Sequence, residues 1–163
     1  MKKDNFSEKD RLFMQKALAL AKEAGEDGEV PVGAVVVHNG KVIGSGKNRR
    51  EKIKNALAHA ELEAINEACN TLGGWRLPEC TLYVTLEPCP MCAGGIINAR
   101  IGRTVIALRD AKSGCLGSVI NFNSYPFNHK TVTEYGLCES EARSLMSDFF
   151  ISLREKRSLK NKL

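Results

Sequence analysis

Two cysteines have the spacing and the surroundings of metal ligands. Cys89 and Cys92 lie three positions apart in the run TLEPCPMCAGG, residues 85–95, so on a helix both thiols would point to the same side. Pro90 favours the first helical position, which predicts that Cys89 stands at a helix N-terminus, where the helix dipole favours thiolates. A catalytic zinc ion takes three protein ligands and leaves a fourth position for water. The third ligand must therefore come from elsewhere in the chain.

His59 is the candidate for that third ligand because it begins the tripeptide His-Ala-Glu. Inside a helix, Glu61 would point to a different side from His59, so both face one pocket only where a helix begins. We therefore expect His59 at a helix N-terminus, opposite the helix that carries the cysteines. A carboxylate beside the metal's water, but not bound to the metal, is suited to moving protons. His38, beside a predicted hairpin turn, is better explained as an ordinary surface residue.

Helices and strands alternate along the rest of the chain. The hydrophobic spacing predicts a helix over residues 7–24, with Ser7 as its N-cap and Gly25 at its end. Asn39-Gly40 predicts a β-hairpin, and residues 110–128 have the composition of a functional loop with a short helix. Further helices are predicted over about 56–69, 90–99 and 139–157, and further strands over 80–86, 103–108 and 129–136. A hairpin followed by strands joined through helices implies a mixed sheet.

Length and composition suit one globular domain over residues 1–163. The chain is 43% hydrophobic and 26% charged, it has no apolar run long enough to span a bilayer, and its first residues do not resemble a secretory signal. We expect an intracellular protein whose cysteines stay reduced. The net charge is +5, and residues 154–163 are strongly basic. Such an end is either a solvated tail or a contact for a phosphate backbone.

These motifs together resemble the cytidine-deaminase-like superfamily, and more closely the bacterial tRNA adenosine deaminases. His-Ala-Glu and Pro-Cys-x-x-Cys occur throughout the superfamily. EVPVGAV at 29–35, RDAKSG at 109–114 and the Phe149-Phe150 pair are more particular to the tRNA branch. The resemblance implies an α/β fold of three layers, α/β/α, with helices on both faces of a mixed five-stranded sheet. It also implies a cytoplasmic homodimer with one zinc ion per subunit, which converts the wobble adenosine of a tRNA anticodon loop to inosine.

The same resemblance assigns roles to individual residues. His59, Cys89 and Cys92 match the zinc ligands, and Glu61 matches the proton shuttle. Asn48 matches the residue that hydrogen-bonds the purine, while the backbone of Ala60 and the apolar wall from Val30 match the pocket lining. The positions that match tRNA contacts are Asp110, Lys112, Ser113, Asn128, His129, Phe150 and Arg154. Relatives carry an Asp-Pro-Thr-Ala-like stretch before the His-Ala-Glu, whereas this chain has NALA at 55–58, so Asn55 must keep the turn without a proline.

Two other functions fit part of the pattern. A deaminase of a free base or nucleoside, such as guanine or cytosine, would use the same metal chemistry but would have little use for a basic end. A zinc-stabilised RNA-binding module without catalysis would use the metal and the basic end, but Glu61 would be superfluous in it.

Overall fold

The computed structural model describes residues 5–162 and consists of a five-stranded sheet with helices on both faces. In chain order the elements are α1 (Glu8–Glu26), β1 (Gly33–His38), β2 (Lys41–Lys47), α2 (Arg50–Ile53), α3 (Ala60–Leu72), β3 (Cys80–Leu86), α4 (Pro90–Asn98), β4 (Arg103–Leu108), β5 (Val132–Tyr135) and α5 (Glu139–Lys160). Within those residues, no helix has the length and apolar character that a bilayer crossing requires.

The sheet is mixed, as predicted. Its strand order is β2-β1-β3-β4-β5, with β1 antiparallel to both β2 and β3, whereas β3, β4 and β5 are parallel. Asn39 and Gly40 have φ angles of 49° and 73°, which the tight two-residue turn of a hairpin requires. The predicted hairpin is therefore present, and the predicted last strand corresponds to β5.

Alternate residues of the strands supply two separate cores. On β1, Val36 packs in one core with side chains of α3 and α4, while Val35 packs in the other core with α1 and α5. Successive residues of a strand point to opposite faces of its sheet, so the continuous apolar run of β1 contributes side chains to both cores. The predicted three-layer α/β/α arrangement is confirmed.

Helix α1 begins where predicted but ends later. Ser7 caps it, because its side chain accepts from the Asp10 N–H at 3.1 Å while the Asp10 carboxylate accepts from the Ser7 N–H at 2.9 Å. The helix continues through Gly25 to Glu26, so the predicted end was too early. A glycine weakens a helix interior without ending it; the left-handed residue that follows this helix is Gly28, with a φ of 82°.

Helix α3 begins at Ala60, later than the predicted position near residue 56. The preceding residues form a turn instead, in which the Asn55 side chain accepts from the Leu57 N–H at 2.9 Å and the Asn55 carbonyl accepts from the Ala58 N–H at 3.1 Å. This side chain keeps the turn in the absence of a proline. The helix-forming composition of residues 56–59 was therefore misleading, and the short helix α2 before the turn was not predicted.

Candidate active site

Three ligand atoms converge between α3 and α4. The Nδ1 atom of His59 lies 3.7 Å from the Sγ atom of Cys89 and 3.6 Å from that of Cys92, and all three atoms lie within 4.8 Å of one another. Tetrahedral zinc, with bonds of about 2.3 Å to sulfur and about 2.0 Å to nitrogen, places such ligand atoms about 3.5 Å apart. Thiolate and imidazole are also donors that zinc accepts readily. The geometry and the donor set therefore both fit a zinc ion.

Helix ends hold these side chains in place. His59 is the N-cap of α3 and Cys89 is the N-cap of α4, both with extended backbone, and neither side chain caps its own helix. Their ring and sulfur are thus left for a ligand. Pro90 occupies the first position of α4, and Cys92 follows within the first turn, where it is fully buried. The two helix N-termini meet, as the spacing of His-Ala-Glu and Cys-x-x-Cys predicted.

Glu61 lies beside this cluster in the first turn of α3. It is 4% exposed, and within residues 5–162 its buried Oε2 atom has no hydrogen-bond partner. Burial raises the pKa of Glu61 to about 7. A buried polar atom without a partner is costly unless a water or a ligand satisfies it. A carboxylate that is stable both with and without its proton near neutral pH is suited to proton transfer.

A hydrogen bond between the two cysteines moves the pKa values of their thiols in opposite directions. The hydrogen bond from the Cys92 thiol lowers the pKa of Cys89 to about 4, and the same hydrogen bond raises the pKa of Cys92. The hydrogen bond with Cys89 raises the pKa of His59. A divalent cation held between these atoms would favour two thiolates, because a coordinating thiol loses its proton.

Asn48 connects the segment before β1 to the start of α3. Its Oδ1 atom accepts from the Ala60 N–H at 3.0 Å, and its Nδ2 atom donates to the Val30 carbonyl at 3.2 Å. The amide keeps a second N–H and a second oxygen lone pair for a ligand. Val30 is half-buried against the α3 and α4 core. These three predicted pocket residues therefore lie together, next to His59.

Asp110 organises a tight turn in the loop after β4. Its carboxylate accepts from the backbone of Lys112 at 2.9 Å and from the hydroxyl of Ser113 at 2.5 Å. These contacts make Asp110 a turn residue, and its predicted contact with tRNA stays a prediction. The Ser113 hydroxyl is already used in the turn, whereas the Lys112 side chain is exposed to solvent.

A groove of about 470 Å³ lies between α5 and the loop after β4, and three of the residues predicted to contact RNA line it. We call it the α5 groove. Lys112, Phe150 and Arg154 line it together with Arg143 and Met146. The last two were missed, although the spacing 143, 146, 150, 154 is that of one helix face and could have revealed them. The groove thus combines three cationic side chains with apolar ones.

Asn128 and His129 lie elsewhere. His129 Nε2 is 2.8 Å from the carbonyl of Ile101, at the edge where the parallel strands begin, whereas Cys89 follows the end of β3. Asn128 is exposed in the same loop. The structure does not bring these two residues to the groove or to the metal ligands, so their contact with RNA stays a prediction.

Comparison with known proteins identifies the family. A family model of MafB19-like deaminases matches residues 8–154. The tRNA-specific adenosine deaminase of Bacillus subtilis is 46% identical over 154 residues, which cover 94% of this chain and 96% of that protein. The chain belongs to the tRNA-specific adenosine deaminase family. The member from Agrobacterium fabrum is 47% identical over 146 residues, covering 89% of this chain and 94% of its own.

Solved structures agree with this assignment. One, from studies of A-to-I editing by tRNA:A34 deaminases at the wobble position of transfer RNA, is 45% identical with a TM-score of 0.80, covering 82% of this chain and 98% of its own. A guanine deaminase from Bacillus subtilis is more distant, at 31% identity and a TM-score of 0.58, covering 72% of this chain and 85% of its own. The predicted family and fold are both confirmed.

Proposed function

We propose that this enzyme deaminates the wobble adenosine of a tRNA anticodon loop to inosine, consuming water and releasing ammonia. One observation carries the proposal: a buried carboxylate oxygen of Glu61, which has no hydrogen-bond partner among residues 5–162, lies beside a ligand set that fits zinc. A purely structural metal site has no use for such a carboxylate. The family relationship supports the choice of tRNA over a free base.

In this proposal one zinc ion per subunit is held by His59, Cys89 and Cys92. When bound, it lowers the pKa of its water toward about 7. Three protein donors would leave one coordination position of the ion for a water molecule. The hydrogen bond with Cys89 raises the pKa of Cys92, and a bound zinc ion would favour the thiolate form of this residue.

Glu61 moves the protons of the reaction. Its carboxylate takes a proton from the water as the water oxygen forms a bond to C6 of the adenine, and passes that proton to N1 of the ring. It then takes the remaining proton of the new hydroxyl and gives it to the amine. The C6–N6 bond breaks, ammonia leaves, and Glu61 is a carboxylate again. The spare N–H of Asn48 and the wall formed by Val30 orient the purine.

The α5 groove supplies the hold on RNA. A base must leave its stack to enter the pocket, so backbone contacts and stacking carry most of the affinity. Lys112, Arg143 and Arg154 face the groove and are suited to phosphates, and Phe150 offers a ring for stacking. Asp110 and Ser113 hold the turn that presents Lys112. The basic end of α5 extends the same surface.

We include the homodimer and the cytoplasmic location in the proposal. Tyr125 and Phe127 stack with ring centroids 5.9 Å apart, yet each is about half exposed. A second copy of the chain would cover these rings. Sedimentation at micromolar concentration should give the mass of a dimer, and a monomer would contradict this part of the proposal.

The experiment compares RNA and free substrates. Zinc-loaded protein is incubated with an anticodon stem-loop that carries adenosine at the wobble position, and inosine is measured by nuclease digestion and mass spectrometry. The same stem-loop with the adenosine moved by one position is the matched control. Turnover of free guanine or cytosine, with no inosine in the stem-loop, would establish the free-base alternative. RNA binding without turnover of any substrate would favour the non-catalytic module.

A further inference from the structure

Glu87 is a buried carboxylate that the mechanism above does not use. It lies between the last residue of β3 and the metal ligand Cys89, and it is 2% exposed. In the described part of the chain, every hydrogen bond that its side chain accepts comes from residues 110–118. The donors are the N–H groups of Asp110 at 3.0 Å, Leu116 at 3.2 Å and Ser118 at 2.9 Å, and the hydroxyl of Ser118.

Backbone contacts strengthen the same connection. The N–H of Glu87 donates to the carbonyl of Leu108 at 2.8 Å, and the N–H of Cys115 donates to the carbonyl of Pro88 at 2.9 Å. Gly114 packs directly on the carboxyl group, because a Cβ atom there would lie 2.3 Å from Glu87 Cδ. Residues 87–89 and the loop 110–118 therefore form one unit.

Loss of these hydrogen bonds would be energetically unfavourable. Among the ion pairs of residues 5–162, none involves Glu87, so neutral donors alone solvate its buried carboxylate. Removing the acceptor would leave several N–H groups of the loop unpaired in a buried place. Only the backbone contacts would then hold the loop near Cys89, so its position would be less well fixed. That loop carries Lys112, which lines the α5 groove.

We propose that Glu87 is a positioning residue for RNA binding. It fixes the loop 110–118 against the segment that carries Cys89, and so sets the distance between the groove and the reacting base. This inference rests on the proposed function and deepens it. Because Glu87 acts on the loop and not on the reacting atoms, its loss should weaken RNA binding much more than it slows turnover of bound RNA.

The main test is Glu87→Gln, whose amide directs N–H groups at donors that need an acceptor. Binding is measured with the inosine-containing product stem-loop, which does not react, and turnover with the adenosine stem-loop at saturation. We expect the Kd for the product RNA to rise about tenfold. The kcat value should stay within about threefold of the parent, and the zinc content, measured by mass spectrometry, should not change.

Asp10→Asn is the matched control. Asp10 is also a buried carboxylate, 7% exposed, but it lies in α1 on the other face of the sheet. It accepts hydrogen bonds from the side chains of Arg103 and Tyr83. We expect this variant to lose stability without a change in Kd. All measurements are made well below the unfolding midpoint of each variant, so that loss of stability alone does not weaken binding.

Gly114→Ala perturbs the same contact from the side of the loop. If Glu87→Gln does not fold, this variant tests whether Glu87 positions the loop for RNA binding. Its new methyl group pushes against the carboxylate, so the Kd should again rise, and the double variant should bind no more weakly than the weaker of the two single variants. An unchanged Kd in the variants that fold, additive effects, or loss of zinc together with kcat would overturn the proposal. Absence of inosine with the parent protein would instead remove the proposed function, while the binding comparison would still test Glu87.

Discussion

The ligand cluster of His59, Cys89 and Cys92 and the α5 groove have different physical requirements. The ligands of the cluster stand at two helix ends, are buried or half-buried, and lie within 4.8 Å of one another. The groove is open, and its cations sit on long side chains such as Arg143, which is well exposed. Chemistry at one atom demands fixed positions, whereas a grip on a phosphate backbone tolerates mobile charges. Single changes should therefore have large effects in the cluster and graded effects in the groove.

The largest effect is expected from Cys92→Ala. A fully buried ligand is removed, so zinc should be lost, turnover should become undetectable and the free energy of unfolding should fall, because metal binding is coupled to folding. Metal analysis, inosine measurement and thermal unfolding test this together. Cys80→Ala is the control, a buried cysteine outside the cluster, which should keep its zinc. Full zinc occupancy in Cys92→Ala would contradict the assignment of the ligands.

Glu61→Gln should separate chemistry from metal binding. The variant keeps the shape of the side chain but cannot accept the proton, so kcat should fall by roughly 1,000-fold or more. Zinc content and RNA affinity should match the parent. Single-turnover measurement of inosine provides the rate. A variant that retains a tenth of the activity would show that another group moves the protons.

A graded effect is expected from Arg143→Ala in the groove. Removing one phosphate contact should weaken RNA binding by roughly fivefold and reduce the salt dependence of binding by about one ion. The kcat value for bound RNA should not change. Lys41→Ala is the matched control, because it removes the same charge from the exposed hairpin end. Equal losses in both variants would mean that only net charge matters and that the groove is not the binding surface.

The smallest effect is expected outside both regions, at Asp10. Burial acts to raise the pKa of Asp10, but hydrogen bonds from Arg103, Tyr83 and Ser7 outweigh it and hold that pKa below its usual range. Since the folded-state pKa is lowered, its contribution to stability is present above about pH 4 and is lost as the pH falls further. Asp10→Asn should be less stable by about 1 kcal/mol at pH 7.

The same variant should lose less stability than the parent between pH 4 and pH 2. Urea unfolding at several pH values measures both quantities, with zinc content and RNA affinity recorded alongside. A change in either of the last two would show that the two regions are not independent of the rest of the sheet.

Local patterns were enough to predict much of the fold. The alternation of strands and helices, the Asn39-Gly40 turn and the Ser7 cap depend on neighbouring residues, and all of them are present. One error, the predicted start of α3, arose where two local signals competed. Residues 56–59 favour a helix by composition, but the Asn55 side chain holds them in a turn. That residues 1–163 form one deaminase domain stays a prediction; residues 1–4 and 163 lie outside the described part of the chain.

The sequence alone determined which residues could act on a metal and on a base, because the residue types and spacing of His59, Glu61, Cys89 and Cys92 identify them as candidates. It also determined the family. The tertiary structure decided which distant residues meet: Arg143 and Met146 with Lys112 across the groove, and Glu87 with the loop 110–118. It also placed His129 where the parallel strands begin, at the opposite end of those strands from Cys89. Short spacings depend on helix geometry, which is local, whereas contacts between segments depend on how the whole sheet pairs and packs.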